Sequence, residues 1–150
     1  IMPTMTLALH GTPWSGAGER KMIGISSVSA DQLTLLCARA VHKPMVVQNR
    51  CYAALGWDQD VRPICRTHGI IYQGFSLLTA NRELFADPEV RAMAAKYGMG
   101  LAQLVFRFAM QTGMLPLTGT TNPKHMQEDL RSDQFTIAPE DLQRLEIIGM

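Results

Sequence analysis

Polar side chains follow each short apolar run of this 150-residue sequence, and their types suit the binding of a polar ligand. Histidine exchanges protons near neutral pH, and hydroxyl and amide side chains both donate and accept hydrogen bonds. If the runs are parallel strands, these side chains would meet at the carboxyl edge of one sheet and line a pocket. An ordinary loop-rich surface is the alternative. The polar groups are His10, Ser26-Ser27, Gln48-Asn49-Arg50, Tyr72-Gln73 and Thr118 to Asn122.

The last of these groups, Thr118 to Asn122, is a glycine- and hydroxyl-rich turn before a predicted helix. Free N–H groups and the helix dipole at such a position favour an anion such as phosphate. An ordinary N-cap is the alternative, with Asn122 bonding only its own helix. Gly11 to Gly18 has the glycine spacing of a P-loop. Ala17 and Gly18 stand where that motif needs Lys and Ser or Thr, so we interpret the stretch as a flexible connection.

Predicted strands and helices alternate along the chain and must position these groups. Short apolar runs mark the strands, and apolar stripes of helical period mark the helices. Short apolar runs predict strands of a parallel sheet covered on both faces, at Thr6 to Leu9, Met22 to Ile25, Pro44 to Val47, Ile70 to Tyr72 and Met114 to Leu117. Helical stripes and caps predict helices at Ser29 to Ala40, Asp58 to His68, Pro88 to Tyr97, Leu101 to Gln111, Lys124 to Leu130 and Pro139 to Ile148. This order favours a doubly wound sheet or a piece of a (β/α)8 barrel.

The composition predicts a globular chain in a reducing compartment. Hydrophobic residues make up 47% and charged residues 18%, with a formal net charge of +1. A net charge so close to zero gives no reason to expect nucleic acid or an anionic membrane as a partner. No stretch approaches the roughly 18 apolar residues of a membrane helix, and the first residues lack the pattern of a signal peptide. Cys37, Cys51 and Cys65 fit no metal-site spacing, which favours buried free thiols and the cytosol.

Four motifs in register resemble the aldo-keto reductase family, over Met22 to Ile148. Leu7 to His10 also resembles the family's fourth strand, which ends in its catalytic His. The resemblance implies an α/β fold that is part of a (β/α)8 TIM barrel, with about five parallel strands and outer helices, as one truncated domain over residues 1–150. The motifs are Ile23 to Ser29, Val46 to Tyr52, Gly69 to Ser76 and Leu115 to Thr121.

The resemblance also implies a reaction, the reduction of a small carbonyl substrate with NADP or NAD. In the family the nicotinamide gives a hydride to the carbonyl carbon and a Tyr protonates the oxygen. A Lys and an Asp tune that Tyr, while a His orients the substrate. By this resemblance His10 is the catalytic candidate, and the family's Asp, Tyr and Lys have no counterpart here. Tyr52, Tyr72 and Tyr97 match later parts of the family, so none of them replaces the catalytic Tyr.

The resemblance places the nicotinamide against residues at three strand exits. Ser26 and Gln48 would hold the carboxamide, and Ser27 stands where the family usually has Asn. Tyr72 would stack under the ring, since an aromatic face suits a cationic ring.

The pyrophosphate and adenosine would lie against later residues, with Gln73 and Phe75 lining the pyrophosphate channel. His125 stands in place of the usual Arg. Gly119 or Leu117 stands in place of the Lys that often pairs with the 2′-phosphate. Both departures weaken the case for NADPH over NADH. The residues around the adenosine end would be Thr120, Asn122, His125, Glu128 and Asp129.

Three functional hypotheses remain open. The first is an aldo-keto reductase-like oxidoreductase that is inactive or impaired as this chain, because the catalytic Asp, Tyr and Lys are missing. The second is a non-catalytic dinucleotide-binding or protein-interaction module that forms a homo-oligomer through open sheet edges. The third is a working reductase with His10 as its acid. A poorly folding fragment is the plain alternative.

Overall fold

The computed structural model describes Thr6–Ala8 and residues 22–150. The strands are β1 (Thr6–Ala8), β2 (Gly24–Ser26), β3 (Val46–Arg50), β4 (Ile71–Phe75) and β5 (Met114–Pro116). The helices are α1 (Ala30–Arg39), α2 (Arg62–His68), α3 (Arg82–Ala86), α4 (Pro88–Lys96), α5 (Leu101–Gln111), α6 (Pro123–Leu130) and α7 (Pro139–Ile147), with 3₁₀ segments at Ala53–Asp58 and Arg131–Asp133. Within these ranges no helix is long and apolar enough to cross a membrane.

Helix boundaries follow the predicted capping residues closely. Helix α5 spans Leu101–Gln111, as predicted. Ser29 caps α1, because its hydroxyl accepts the Gln32 N–H while the Gln32 side chain accepts the Ser29 N–H. The Asp87 carboxylate likewise accepts two N–H groups at the start of α4. These caps satisfy N–H groups that have no partner inside their helices, which is why the sequence could reveal them.

Two elements differ from the predictions for local backbone reasons. Helix α2 begins at Arg62, later than the predicted Asp58. The residues Gly56, Trp57 and Asp58 have φ of 61°, 54° and 55°, left-handed values that an α-helix cannot include. Helix α3 was not predicted, since its five residues are too few to show a repeating apolar stripe.

The strands follow the order β1-β2-β3-β4-β5. Strands β2 to β5 are parallel, as predicted, and Ser26 of β2 lies opposite Gln48 of β3. The expectation of five parallel strands was wrong for the first strand. Strand β1 runs antiparallel to β2, with Leu7 opposite Ile25, so four strands are parallel. Antiparallel neighbours accept a short connection, whereas a parallel crossover usually needs a helix. The short link predicted between these two strands suits the antiparallel pairing.

The contacts divide the chain into two compact units, of which unit 1 comprises Ile1–Asn49 and Gln59–Gln73. Its core takes residues from β2, β3, α1 and α2. The side chains of Ile25, Val47 and Leu33 are each at most 1% exposed. Side chains alternate between the two faces of a strand, so Ser26 and Gln48 lie on the opposite, half-buried face.

Unit 2 comprises Arg50–Asp58 and Gly74–Met150, and Trp57 is central to its core. The ring of this fully buried residue lies 4.7 Å from that of Phe108 in α5. Its Nε1 donates to the Leu145 carbonyl in α7 at 2.7 Å. The indole therefore links the first 3₁₀ segment to two helices, and it satisfies its own N–H while burying its ring.

Candidate functional site

Three polar side chains come together on one face of unit 1. Ser26 and Gln48 are opposite each other in the parallel pair β2–β3, and Gln48 Nε2 donates to Gln73 Oε1 at 3.2 Å. All three residues are half-buried. A hydroxyl beside two amides offers both donors and acceptors, which is the chemistry that a carboxamide requires. The structure thus brings Ser26 and Gln48, predicted at the nicotinamide carboxamide, together with Gln73, predicted in the pyrophosphate channel.

Ser27 turns the chain out of β2 directly after this row. Its φ is 57°, a left-handed value, and its N–H donates to the Gln48 carbonyl at 3.0 Å. The Ser27 Oγ lies 3.5 Å from the Ser26 Oγ. Ser26 and Ser27 therefore place two adjacent hydroxyls at the carboxyl end of β2, and the backbone of Ser27 is hydrogen-bonded to β3.

Asn49 points to the other face of β3 and holds the same exit loop in place. It is 6% exposed. Its Oδ1 accepts the Val28 N–H at 3.0 Å and its Nδ2 donates to the Val28 carbonyl at 2.8 Å. Asn49 and Gln48 form one polar group in the sequence, whereas the alternation of side chains along the strand places them on opposite faces. Asn49 is thus a positioning residue for the loop that carries Ser26 and Ser27.

Tyr72 lies on the buried face of β4, opposite the face that carries Gln73. The whole residue is 3% exposed, while Gln73 and Phe75 are half-buried at alternating positions. A ring that stacks under a nicotinamide needs an accessible face, and the Tyr72 ring has none. The implied stacking role of Tyr72 stays a prediction, and the burial of the ring argues against it. By strand alternation Phe75 is the aromatic residue on the same side of β4 as Gln73.

A second group of predicted residues surrounds the start of α6 in unit 2. Thr118 Oγ1 donates to Asp129 Oδ2 at 3.0 Å. Asn122 caps α6 by accepting the Lys124 N–H at 2.9 Å, and the Thr120 hydroxyl accepts the Asn122 N–H at 3.1 Å. Side-chain hydrogen bonds therefore tie the turn from Thr118 to Asn122 to the helix that follows it.

The first turn of α6 keeps one uncommitted backbone donor. Pro123 has no N–H, the Lys124 N–H is used by the cap, and the Met126 N–H donates to the Asn122 carbonyl at 3.1 Å. Among the hydrogen bonds of residues 22–150, the His125 N–H has no acceptor. A free N–H at a helix N-terminus points to an anion, although one donor makes a weaker site than several.

The side chains of α6 add negative charge beside that donor. Glu128 and Asp129 are half-buried. Lys124 Nζ lies 3.9 Å from Glu128 Oε1, so its charge is shared with a carboxylate. Carboxylates accept hydrogen bonds from hydroxyl and amino groups and repel phosphate.

Tyr97, by contrast, belongs to a cluster that joins α4 to α7. Its hydroxyl donates to Asp141 and accepts the Ala138 N–H at 2.8 Å. Lys96 Nζ donates to the same carboxylate oxygen at 2.8 Å. Burial and then the bond to Asp141 raise the pKa of Tyr97, while hydrogen bonds from Lys96 and Tyr97 lower the pKa of Asp141. A raised pKa makes the Tyr97 hydroxyl a weaker acid than usual.

The structure describes the three predicted thiols but not the predicted catalytic histidine or the connection that follows it. His10 and the connection from Gly11 to Gly18 lie outside the described residues, so their roles stay predictions. Cys37, Cys51 and Cys65 are buried thiols outside any disulfide, as predicted. Burial raises the pKa of the Cys37 thiol, against a smaller opposing effect of a nearby lysine.

Comparison with known proteins decides the family. The model of the Aldo/keto reductase family matches residues 15–149. The chain belongs to this family. The match includes the four motifs that suggested the resemblance. It also covers Ser26, Gln48 and Gln73 of unit 1, here called the amide row, and the residues around α6 in unit 2.

Individual relatives in the aldo/keto reductase family are distant and longer. Aldo-keto reductase family 1 member A1 of Xenopus tropicalis is 26% identical over 135 residues, covering 84% of this chain and 41% of the relative. An uncharacterized oxidoreductase of Schizosaccharomyces pombe is 29% identical over 130 residues, covering 86% of this chain and 45% of the relative. The chain therefore spans less than half the length of these relatives.

Solved structures confirm the fold. The crystal structure of an aldo/keto reductase from Brucella melitensis matches with a TM-score of 0.72 at 24% identity, covering 84% of this chain and 48% of that one. At this identity the likeness establishes fold alone. Together with the parallel strands and their helices, it confirms the predicted partial (β/α)8 barrel.

We predict that Asn49→Ala lowers the free energy of unfolding by about 1–3 kcal/mol, because both backbone groups of Val28 lose their partner. Urea denaturation measures the change. Gln143→Ala, at an exposed position of α7, is the matched control and should stay within about 0.5 kcal/mol of the unchanged chain. Identical midpoints for Asn49→Ala and the unchanged chain would show that Asn49 does not hold the loop.

Proposed function

We propose that the chain takes part in the NAD(P)H-dependent reduction of a small carbonyl compound. The family acts on small-molecule carbonyl substrates and typically uses NAD(P)H. The observation that carries the proposal is the row of Ser26, Gln48 and Gln73, because it offers a carboxamide both donors and acceptors.

The residues present fit the two ends of a dinucleotide separately. In unit 1, Ser26 and Gln48 would hold the carboxamide. In unit 2, the free His125 N–H would face a phosphate, and the carboxylates of Glu128 and Asp129 would accept hydrogen bonds from ribose or adenine. The dinucleotide would supply the hydride, and the residues of this chain would bind and orient it. The donor set is chemically suited to both ends.

Phe75 would take the aromatic role that the resemblance gave to Tyr72. It is half-buried, whereas Tyr72 is enclosed. Gln73 would lie beside the cofactor, held there by its hydrogen bond to Gln48. A phenyl ring offers the same apolar face as a tyrosine ring and loses only the hydroxyl.

We further propose that this chain alone reduces carbonyl compounds slowly or only binds the dinucleotide. None of the tyrosines is placed to donate a proton. Tyr72 is buried, Tyr97 is bonded to Asp141, and Tyr52 lies half-buried beneath Arg50. His10 is the remaining candidate acid. Loss of general acid catalysis costs roughly 10²–10⁴ in rate.

The three buried cysteines indicate the compartment in which the protein works. Cys37, Cys51 and Cys65 are buried, and none of the three forms a disulfide. Free thiols persist in reducing compartments, so we propose the cytosol.

The direct test is binding of NADH and NADPH, followed by isothermal calorimetry. We expect saturable binding, and we expect Gln48→Ala to weaken it by about fivefold, because one hydrogen bond contributes on the order of 1 kcal/mol. Gln143→Ala should bind as the unchanged chain does. No binding up to millimolar concentration would refute the cofactor. Binding without reduction of 4-nitrobenzaldehyde would identify a non-catalytic module.

The charges of α6 predict a preference for NADH. Removing one carboxylate near the adenosine end should reduce repulsion of a 2′-phosphate by a few tenths to about 1 kcal/mol. Asp129→Asn, which can still accept the Thr118 hydrogen bond, should therefore improve the NADPH-to-NADH affinity ratio by about two- to fivefold. Asp133→Asn, an exposed residue beyond α6, is the control. An unchanged ratio in Asp129→Asn would remove Asp129 from the site.

We also propose that the chain forms a homo-oligomer through the amino ends of its strands. Met22, Met45 and Ile71 are 55%, 45% and 49% exposed there, and a net charge of +1 opposes association little. Light scattering should show a mass that rises with concentration. Ile71→Glu should return the chain to a monomer, while Leu35→Glu, on an exposed position of α1, should not. A monomer at all concentrations would contradict the proposal.

A further inference from the structure

Arg50 ends strand β3 as an exposed cation with an aromatic partner. Its guanidinium carbon lies 5.3 Å from the centroid of the Tyr52 ring. The intervening Cys51 N–H donates to the Phe75 carbonyl at 3.0 Å, so the carboxyl ends of β3 and β4 are joined at this point in unit 2. Binding sites of (β/α)8 proteins lie at the carboxyl ends of the strands. Arg50 therefore occupies a functional end of the sheet.

Two other arginines of unit 2, Arg91 and Arg144, donate hydrogen bonds to neighbouring groups. Arg144 Nε donates to Glu89 Oε1 at 2.6 Å, and Arg91 Nε donates to the Phe85 carbonyl at 2.8 Å. Across residues 22–150 no carboxylate pairs with Arg50 and no hydrogen bond involves its side chain. Its donors are thus available to an anion from outside the chain.

The cation–π contact with Tyr52 also prepares Arg50 to recognise a planar anion. A guanidinium resting on an aromatic ring keeps its charge and leaves its edge free. That edge carries parallel N–H donors that match the two oxygens of a carboxylate. A lysine would provide a point charge without this geometry.

We propose that Arg50 binds the carboxylate of the substrate, so that the chain selects carbonyl compounds carrying a carboxylate. This inference rests on the proposed function and gives it a substrate class. The phosphates of the dinucleotide are the competing source of negative charge. The effect of Arg50→Gln on dinucleotide affinity distinguishes the two sources.

The test compares 4-carboxybenzaldehyde with methyl 4-formylbenzoate, its neutral ester. Binding of each aldehyde is measured by calorimetry to the full chain saturated with the oxidised dinucleotide, so that no turnover is needed. We expect the acid to bind about tenfold more tightly than the ester, as one charge-assisted contact allows. Arg50→Gln should abolish this preference while leaving the ester and dinucleotide affinities unchanged. Arg82→Gln, an exposed arginine of α3, should keep the preference.

Three results would overturn the inference in distinguishable ways. Equal affinity for acid and ester in a chain that binds the dinucleotide would refute the substrate class alone. Weaker dinucleotide binding in Arg50→Gln would assign Arg50 to the cofactor instead. Failure of the unchanged chain to bind any dinucleotide would refute the proposed function and this inference with it.

Discussion

Alternation of side chains along β3 is the constraint on which unit 1 depends. Val47 and Asn49 face the core, and Gln48 faces the other side. A slip of one residue would exchange the two sets and bury Gln48 in place of the fully enclosed Val47. The polar Asn49 is tolerated in the core because both ends of its amide are bonded to Val28. One strand therefore fixes the core, the exit loop and the amide row.

Features encoded by local chemistry could be predicted from the sequence. The caps at Ser29, Asp87 and Asn122 involve residues within three positions of each other, so their patterns are visible in the chain. The apolar stripe of α5 is equally local. Helix α2 begins later than predicted because residues with left-handed φ values precede it, and no local sequence pattern predicts those values.

Orientation within the site could not be predicted in the same way. The sequence grouped Gln48 with Asn49 and Gln73 with Tyr72, yet in the structure Asn49 and Tyr72 point away from Gln48 and Gln73. The predicted strand ending at Tyr72 was too short to show which face each residue takes, and pairing with β3 decides that face. Antiparallel β1 is a similar case, because strand direction depends on partners and not on composition.

The two groups of proposed cofactor residues differ in charge. In unit 1 the groups are neutral hydroxyls and amides, and in unit 2 they are a single free N–H flanked by carboxylates. None of the residues proposed to bind the dinucleotide is a lysine or an arginine. Affinity for a dinucleotide would therefore rest on hydrogen bonds, and it would depend less on ionic strength than binding through surface cations does.

The buried thiols also divide between the two units. Cys37 and Cys65 belong to unit 1, and Cys51 belongs to unit 2. A buried thiol reacts with an alkylating reagent only when its surroundings open, since only an exposed thiolate can attack the reagent. The chain thus carries its own probes of local opening. The rates at which the three cysteines become labelled would report the opening of each unit separately, without any introduced dye or mutation.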